Sequence, residues 1–112
     1  MLSRANRLKK QRDFGIVYNR GRSFVSDLFV MYALQTRAGA PRCGFSVSKK
    51  VCKACARNLI KRRASEILRP RIGGLKSGTS LILVARKEAA GADFRSMEGC
   101  IDSLLRKAGL LE

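Results

Sequence analysis

The sequence predicts a single domain of mixed α/β class, and two observations support this. The chain has 112 residues, of which 46% are hydrophobic and only two are proline, a length and composition typical of one folded domain. Hydrophobic residues recur at helical spacing in three segments, and four other segments have the alternation or the short apolar runs of strands. We therefore predict one domain, residues 1–112, with the order helix, two strands, strand, basic helix, strand, helix.

The first predicted helix covers residues 9–20. Its apolar residues lie at roughly helical spacing, and the glycine that follows is a suitable C-terminal cap. In the segment LKKQRDFGIVYNRG this spacing is shown by Leu8, just before the helix, and by Phe14, Val17 and Tyr18 within it; the glycine is Gly21.

Three predicted strands follow this helix. The segments RSFV and LFVMYALQ are rich in β-branched and aromatic residues; a serine and an aspartate separate them, so they are two strands or one strand with a bend. RAGAPR, residues 37–42, is the next turn. In CGFSVSKK, apolar side chains alternate with small ones, which predicts a strand with one apolar face that leads to Lys49 and Lys50.

The second half of the chain contains the basic helix, a further strand and the last helix. The basic helix has one apolar stripe and ends at Pro70. After the glycine-marked loop IGGLKSGT, the strand SLILVAR is apolar on both parities, so we expect it to be central. The last helix begins at Asp93, a plausible N-cap, and ends before Gly109. The two apolar stripes are Ile60, Ala64, Ile67 and Leu68, and Phe94, Met97, Ile101, Leu104 and Leu105.

The charge of the chain indicates a polyanionic partner. Lys and Arg number 24 against 8 acids, a formal charge of +16, and residues 28–65 contain nine cations and no acid. An ordinary solvated helix face mixes both signs, whereas here Lys49, Lys50 and Lys53 extend the positive charge of the helix. We therefore favour contact with nucleic acid phosphates over a merely solvated face.

Several other classes of function fit the sequence poorly. The chain has no histidine and its acids are scattered, so we do not expect it to be catalytic on its own. The longest apolar run, Leu28 to Leu34, is too short for a membrane span, and no secretory signal is apparent, so a cytoplasmic protein with reduced thiols is expected. Cys52 and Cys55 form a lone C-x-x-C, and free thiols are favoured over a zinc site.

Three aromatic residues, Phe14, Tyr18 and Tyr32, allow two interpretations at this point. Aromatic side chains at helix and strand spacing usually belong to the core, but an open ring face would allow stacking on unpaired bases.

Two adjacent motifs resemble those of a known family. GFSVSKK, residues 44–50, followed by RNLIKR, residues 57–62, is similar to the pair G-x-S-V-S-K-K and R-N-R-x-K-R of the bacterial ribonuclease P protein component. RLKKQRDFGIVYNRGRSF and LILVARKEA resemble the flanks of those motifs in the family, so that the resemblance covers essentially the whole chain. Two residues depart from the pattern: Leu59 replaces the second arginine of R-N-R, and Cys52 stands where glycine is common.

The resemblance implies a particular fold. In that family, three helices pack on a four-stranded mixed sheet. The crossover from the G-x-S-V-S-K-K strand through the basic helix is left-handed, as in the second domain of ribosomal protein S5, although such crossovers are usually right-handed.

The resemblance also implies a function. The family's protein binds a large catalytic RNA, and the holoenzyme removes the 5′ leader of precursor tRNA, with Mg²⁺ held mainly by the RNA and no zinc expected. No membrane and no obligate protein partner are implied. The implied RNA contacts are Lys49, Lys50, Lys53, Arg57, Asn58, Lys61 and Arg62, and the implied leader-binding cleft is Phe14, Tyr18 and Tyr32. The alternatives are a structural RNA-binding protein of the ribosome and, less favoured, a zinc-bound module.

Overall fold

The computed structural model describes residues 2, 4–36, 39–50 and 53–111. Its three α-helices are α1 (Gln11–Arg20), α2 (Ala54–Leu68) and α3 (Phe94–Ala108), and its four strands are β1 (Arg22–Val25), β2 (Phe29–Gln35), β3 (Arg42–Ser46) and β4 (Thr79–Ala85). Short 3-10 helices cover Arg4–Asn6, Arg69–Gly74 and Lys87–Ala89. The predicted order of helices and strands is confirmed, including two separate strands for RSFV and LFVMYALQ.

The four strands form one mixed sheet in the order β1-β2-β4-β3. β2 pairs antiparallel with β1 and β4, whereas β3 pairs parallel with β4. β4 is therefore an inner strand, as its two-sided apolar pattern predicted. The segment containing α2 connects the parallel neighbours β3 and β4, in agreement with the fold implied by the resemblance; the left hand of that crossover stays a prediction.

The two faces of the sheet bury different clusters of side chains. Alternate residues of β2 and β4 join the apolar stripes of α2 and α3 in the main core, whose largest fully buried side chains include Met31, Leu81, Leu83, Ile67, Leu68, Ile101 and Leu104. On the other face, α1 covers a smaller cluster of Leu8, Val17 and Ile82. One short helix covers only part of this second face, so part of it remains open.

The boundaries differ from the predicted ones at three places. α1 begins at Gln11 rather than residue 9. β3 ends at Ser46, whereas the strand predicted for CGFSVSKK was expected to lead directly to Lys49 and Lys50. Pro70 ends the α-helix but not the helical backbone, which continues as a 3-10 helix to Gly74, since proline is tolerated in the first turn of a helix. The predicted loop IGGLKSGT therefore begins in helical conformation.

At two positions the structure shows what the sequence pattern did not: why residue 21 is glycine, and why Phe94 is exposed. Gly21 caps α1 with an extended φ of −76°; glycine is required there by space, because a Cβ would lie 2.4 Å from the carbonyl oxygen of Val17. Phe94, predicted to be part of an apolar stripe, is 40% exposed. It is the first residue of α3, and the buried face of that helix begins one turn later at Met97.

The ends of α3 confirm the predicted caps. The Asp93 carboxylate accepts a hydrogen bond of 2.8 Å from the backbone N–H of Ser96, and this bond lowers the pKa of Asp93. Gly109 has a φ of 66° and takes the left-handed conformation that favours glycine at a helix end.

An arginine holds the end of α2 against α3. Arg71 donates hydrogen bonds to the carbonyl of Ile67 and to the carboxylates of Asp102 and Glu98. Its Nη2 lies 3.0 Å from the Asp102 carboxylate and 3.1 Å from that of Glu98. The two carboxylates, Asp102 first and then Glu98, raise the pKa of Arg71. Two of the few acids of the chain are therefore used within the fold.

Candidate nucleic-acid interface

Phe14, Tyr18 and Tyr32 come together on the partly open face of the sheet. The ring centroids of Phe14 and Tyr18, both on α1, are 6.4 Å apart. The ring of Tyr18 meets that of Tyr32 on β2 edge to face at 4.9 Å. Phe14 and Tyr32 pack partly against the Leu8 cluster, whereas Tyr18 is 38% exposed. The three residues therefore form one aromatic cluster, with a buried side and a side open to solvent.

A glycine of the GFSVSKK segment provides the space for one of these rings. Gly44 on β3 is buried, and a Cβ placed on it would lie 2.6 Å from Cζ and 2.9 Å from Cε1 of Phe14. Carbon atoms in favourable contact are about 3.5–4.0 Å apart, so any side chain here would displace the ring. Gly44 thus allows Phe14 to lie directly against the strand.

The open part of the sheet extends the cluster on its β1 side. In an antiparallel pair, directly opposed residues point to the same face, and the register places Val25 opposite Val30, and Val30 opposite Val84. Val30 lies two residues before Tyr32 and therefore shares its face, and Val25 is 54% exposed. We call the surface formed by the three aromatic residues and these three valines the cleft. Sequence reasoning did not select the valines, although their shared parity with Tyr32 could have indicated them.

The Lys49–Lys50 turn lies just beyond the β3 edge of the cleft. Ser46, the last residue of β3, is paired with Val84, and the chain turns three residues later. Both lysines are exposed, and the backbone N–H of Lys50 donates a hydrogen bond of 3.1 Å to the Ser48 hydroxyl. Positive charge therefore borders the cleft.

The predicted RNA contacts on α2 divide into outward and flanking positions. Asn58 and Arg62, one turn apart, are exposed on the outer surface of the helix, whereas Arg57 and Lys61 are half-buried beside its apolar stripe. Lys53 is the exposed N-cap residue, and the first turn of α2 contains no acid. Because the N-terminus of a helix carries a partial positive charge, this end of α2 adds to the attraction for anions. We call the predicted contacts from Lys53 to Arg62 the α2 face.

The other flank of α2 serves packing. Arg63 donates a hydrogen bond of 3.1 Å to the carbonyl of Ala92. Leu59, the departure from R-N-R, lines a groove with Ile60 and Met97 next to this arginine. Leu59 therefore lies on the flank of α2 opposite to Lys61. The second departure, Cys52, lies outside the described residues.

The remaining cysteines are separate thiols. Cys43 is buried, and its burial raises the pKa of the thiol to about 12; Cys55 is exposed and Cys100 half-buried. Across residues 2, 4–36, 39–50 and 53–111, no three metal-ligating side chains form a cluster. Over the same ranges, no helix has the length and apolar character needed to cross a membrane.

Comparison with known protein families identifies the family. A family model described as "Ribonuclease P" matches residues 2–109. The chain belongs to the ribonuclease P protein family. A ribonuclease P protein component of Clostridium botulinum strain Langeland is 37% identical over 106 residues, covering 94% of this chain and 96% of the relative. That of Caldanaerobacter subterraneus subsp. tengcongensis is 36% identical over 112 residues, covering 100% of this chain and 97% of the relative.

Solved structures of this family have the same fold. The ribonuclease P protein of Staphylococcus aureus, at 29% identity, has a TM-score of 0.88 over 97% of this chain and 100% of that one. The protein of Thermotoga maritima, at 28% identity, has a TM-score of 0.81 over 91% and 96%. The chain is therefore the protein subunit of the RNA-based endoribonuclease that processes tRNA, and a structural role in the ribosome is not favoured.

Proposed function

We propose that this subunit binds the catalytic RNA through the α2 face and the Lys49–Lys50 turn, and holds the 5′ leader of precursor tRNA in the cleft. The observation that carries this proposal is the aromatic cluster of Phe14, Tyr18 and Tyr32, which is open on one side. Membership of the family supports an RNA partner, and the cytoplasm, where tRNA processing takes place in bacteria, is the proposed location.

Binding to the catalytic RNA would depend mainly on phosphate neutralisation. Each lysine or arginine that contacts a phosphate releases condensed counterions, and the favourable entropy of that release supplies the affinity. Asn58, which is exposed between the cations of α2, adds an amide that can both donate and accept hydrogen bonds. These contacts do not depend on base sequence, so the protein would recognise the position of the RNA backbone.

Leader binding would use the aromatic and apolar surface of the cleft and the positive charge at its edge. The open ring of Tyr18 can stack on an unpaired base, and the exposed Val25 offers apolar surface to a sugar or base. Lys49 and Lys50, besides binding the catalytic RNA, would attract the phosphates of the leader where it passes the β3 edge of the cleft. A strand held in this way would be recognised without regard to its base sequence.

Mg²⁺ is proposed to be held mainly by the RNA, where it would supply the metal-assisted hydrolysis. Three of the eight carboxylates, the ligand type that Mg²⁺ prefers, already have cationic partners in this fold, since Glu98 and Asp102 bind Arg71, and Glu66 binds Arg69. The contribution of the chain itself is therefore to attract phosphates and to position the leader.

The leader-binding role is tested with Phe14→Ala and Tyr32→Ala in the holoenzyme. Mature tRNA lacks the leader, so each substitution should narrow the preference for precursor over mature tRNA by a fraction of the ~1–3 kcal/mol that stacking one base contributes. Arg62→Ala is the matched control, because it should weaken assembly with the RNA and leave the preference nearly unchanged.

Unfolding must be measured on the same variants, because a different result is expected if Phe14 and Tyr32 serve only to pack the core. Phenylalanine to alanine changes in a core cost about 3–5 kcal/mol of stability. A destabilised Phe14→Ala or Tyr32→Ala protein that retains the full preference for precursor tRNA would exclude leader binding in the cleft.

A further inference from the structure

A second cluster of positive charge lies at the other end of β3, outside all the positions assigned above. Five exposed cations line a crevice of about 390 Å³ between the N-terminal segment and the start of β3. They are Arg4, Arg7, Lys9, Lys10 and Arg42. We call this site the N-terminal crevice.

The cations of the N-terminal crevice project from a backbone that is held in place. Arg7 forms a parallel bridge with Cys43, and the backbone N–H of Leu8 donates a hydrogen bond of 2.9 Å to the carbonyl of Cys43. The side chain of Leu8 is buried under α1, so the residues on either side of it, Arg7 and Lys9, point the other way in this extended segment. The side-chain amide of Asn6 also donates a hydrogen bond of 2.8 Å to the carbonyl of Pro41. The ordering of this segment is therefore achieved by folding and need not be supplied by a ligand.

Internal ion pairs neutralise little of this charge. Among the described residues that line the crevice, Asp13 is the only acid, and its carboxylate lies 4.0 Å from Nη1 of Arg42. The Arg42 and Asp13 side chains are 53% and 26% exposed, and a pair that solvent can reach is weak at this distance. Positive charges that are close together and not compensated repel one another, so this arrangement favours an external anion.

The N-terminal crevice is far enough from the Lys49–Lys50 turn to contact different phosphates. β3 has five residues, Arg42–Ser46, and at about 3.3 Å per residue its ends are about 13 Å apart. That distance exceeds the screening length of about 8 Å at physiological ionic strength. The two ends of β3 therefore act as separate electrostatic sites.

We propose that the N-terminal crevice is a second docking surface for the phosphate backbone of the catalytic RNA, separate from the α2 face and from the cleft. This inference rests on the proposed function, since it takes the catalytic RNA as the partner. It adds that the protein contacts two separate segments of that RNA from opposite ends of β3.

The test compares two triple variants that lose the same charge. Arg7→Ala, Lys9→Ala and Lys10→Ala together remove three cations of the crevice. Lys87→Ala, Arg95→Ala and Arg106→Ala, at exposed positions in or near α3, remove three cations elsewhere. Binding of each protein to a bacterial ribonuclease P RNA transcript is measured across a range of salt concentrations. The crevice variant should reduce the log-log salt slope by about two units, and the control by less than one.

A second pair of variants adds an acid without removing any contact. Ala40→Glu places a carboxylate on the lining of the crevice, and Ala90→Glu does so at another exposed position. The first should weaken binding of the transcript several-fold more than the second. This pair also tests whether the N-terminal crevice binds the RNA if the triple variant of the crevice does not fold.

The outcomes separate this inference from the proposed function. Lys61→Ala combined with Arg62→Ala reports on the α2 face in the same assay. If that pair reduces the slope while the crevice variants match their controls, the inference is wrong and the proposed function stands. A loss that appears only when precursor tRNA with its leader is added would assign the crevice to the substrate and would also overturn the inference. If none of the variants changes the slope, both fail.

Discussion

Replacing Gly44 by alanine should displace the Phe14 ring. The substitution should therefore lower the stability of the fold and also change the cleft. The added Cβ would lie 2.6 Å from Cζ of Phe14 and 3.3 Å from Cβ of Leu8. Gly44 is not among the glycines with positive φ, so alanine fits its backbone and only the space is at issue. Leu8 is buried, whereas Phe14 is only half-buried, so we expect the Phe14 ring to move rather than Leu8.

The cost follows from the contacts that the ring must give up. Restoring a carbon contact of about 3.6 Å requires the ring to move by about 1 Å, and overpacking of this kind typically costs about 1–3 kcal/mol. Against this, alanine loses less backbone entropy on folding than glycine, which is worth about 0.5–1 kcal/mol. We therefore expect Gly44→Ala to lower the free energy of unfolding by about 1–2 kcal/mol.

Denaturant unfolding of four proteins isolates the contact: the unsubstituted chain, Gly44→Ala, Phe14→Ala and the double variant. In the Phe14→Ala background the new methyl group enters vacated space, so Gly44→Ala should be neutral or stabilising there. The coupling free energy should be about 2 kcal/mol, well outside the ~0.3–0.5 kcal/mol by which independent sites deviate from additivity. The preference of Gly44→Ala for precursor tRNA should also narrow, because the displaced ring changes the cleft.

Gly99→Ala is the matched control for the effect of the added methyl group itself. Gly99 lies within α3 with nothing within 4 Å of an added Cβ, so alanine should stabilise the helix there by up to about 1 kcal/mol. Additive effects in the Gly44 and Phe14 cycle would refute the reasoning, since they would mean that the ring does not depend on the glycine.

Four further predictions concern single residues. Lys61→Ala should reduce the log-log salt slope for RNA binding by about one unit, and an unchanged slope would mean that this residue is merely solvated. Arg71→Ala should lower the free energy of unfolding by about 1–2 kcal/mol, because its carboxylate partners are partly exposed and the bonds are screened; urea unfolding measures this. A thiol reagent at neutral pH should label Cys55 and spare Cys43, whose burial raises its pKa to about 12; labelling of Cys43 in the folded protein would contradict its burial. The pKa of Asp93 is lowered in the folded protein. Its contribution to the free energy of unfolding is therefore fully present above the pKa that Asp93 has in the unfolded chain, and it is lost as the pH falls through the lower pKa of Asp93 in the folded protein. The difference in thermal midpoint between the unsubstituted chain and Asp93→Ala should therefore narrow on acidification. A constant difference would contradict the role of the Asp93 carboxylate as the N-cap of α3.

Most of the secondary structure could be predicted because burial imposes a local period on the sequence. The stripe that includes Ile60, Ala64 and Ile67 marks α2, and all three residues are buried. The two-sided apolar pattern of SLILVAR indicated an inner strand, which β4 is. These patterns are readable because residues within one element share a face at a fixed spacing.

Recognition of the family also rested on the sequence. The spacing of GFSVSKK and RNLIKR identified the family before the fold was known, and the excess of positive charge indicated a polyanion. The mutual arrangement of the predicted contacts was not accessible in this way, because spacing along α2 does not show how far each side chain is buried. Arg57 and Lys61 prove to be half-buried, whereas Asn58 and Arg62 are exposed.

Only the tertiary structure decided which distant residues meet. Phe14 on α1 reaches both Gly44 and the neighbourhood of Tyr32 because α1 crosses one face of a sheet whose order, β1-β2-β4-β3, differs from the order along the chain. Arg4 and Arg42 line one crevice for a similar reason, since the N-terminal segment pairs with the edge of β3. A local period records that a residue is buried on one face; it does not record its partner, which depends on the packing of the whole chain.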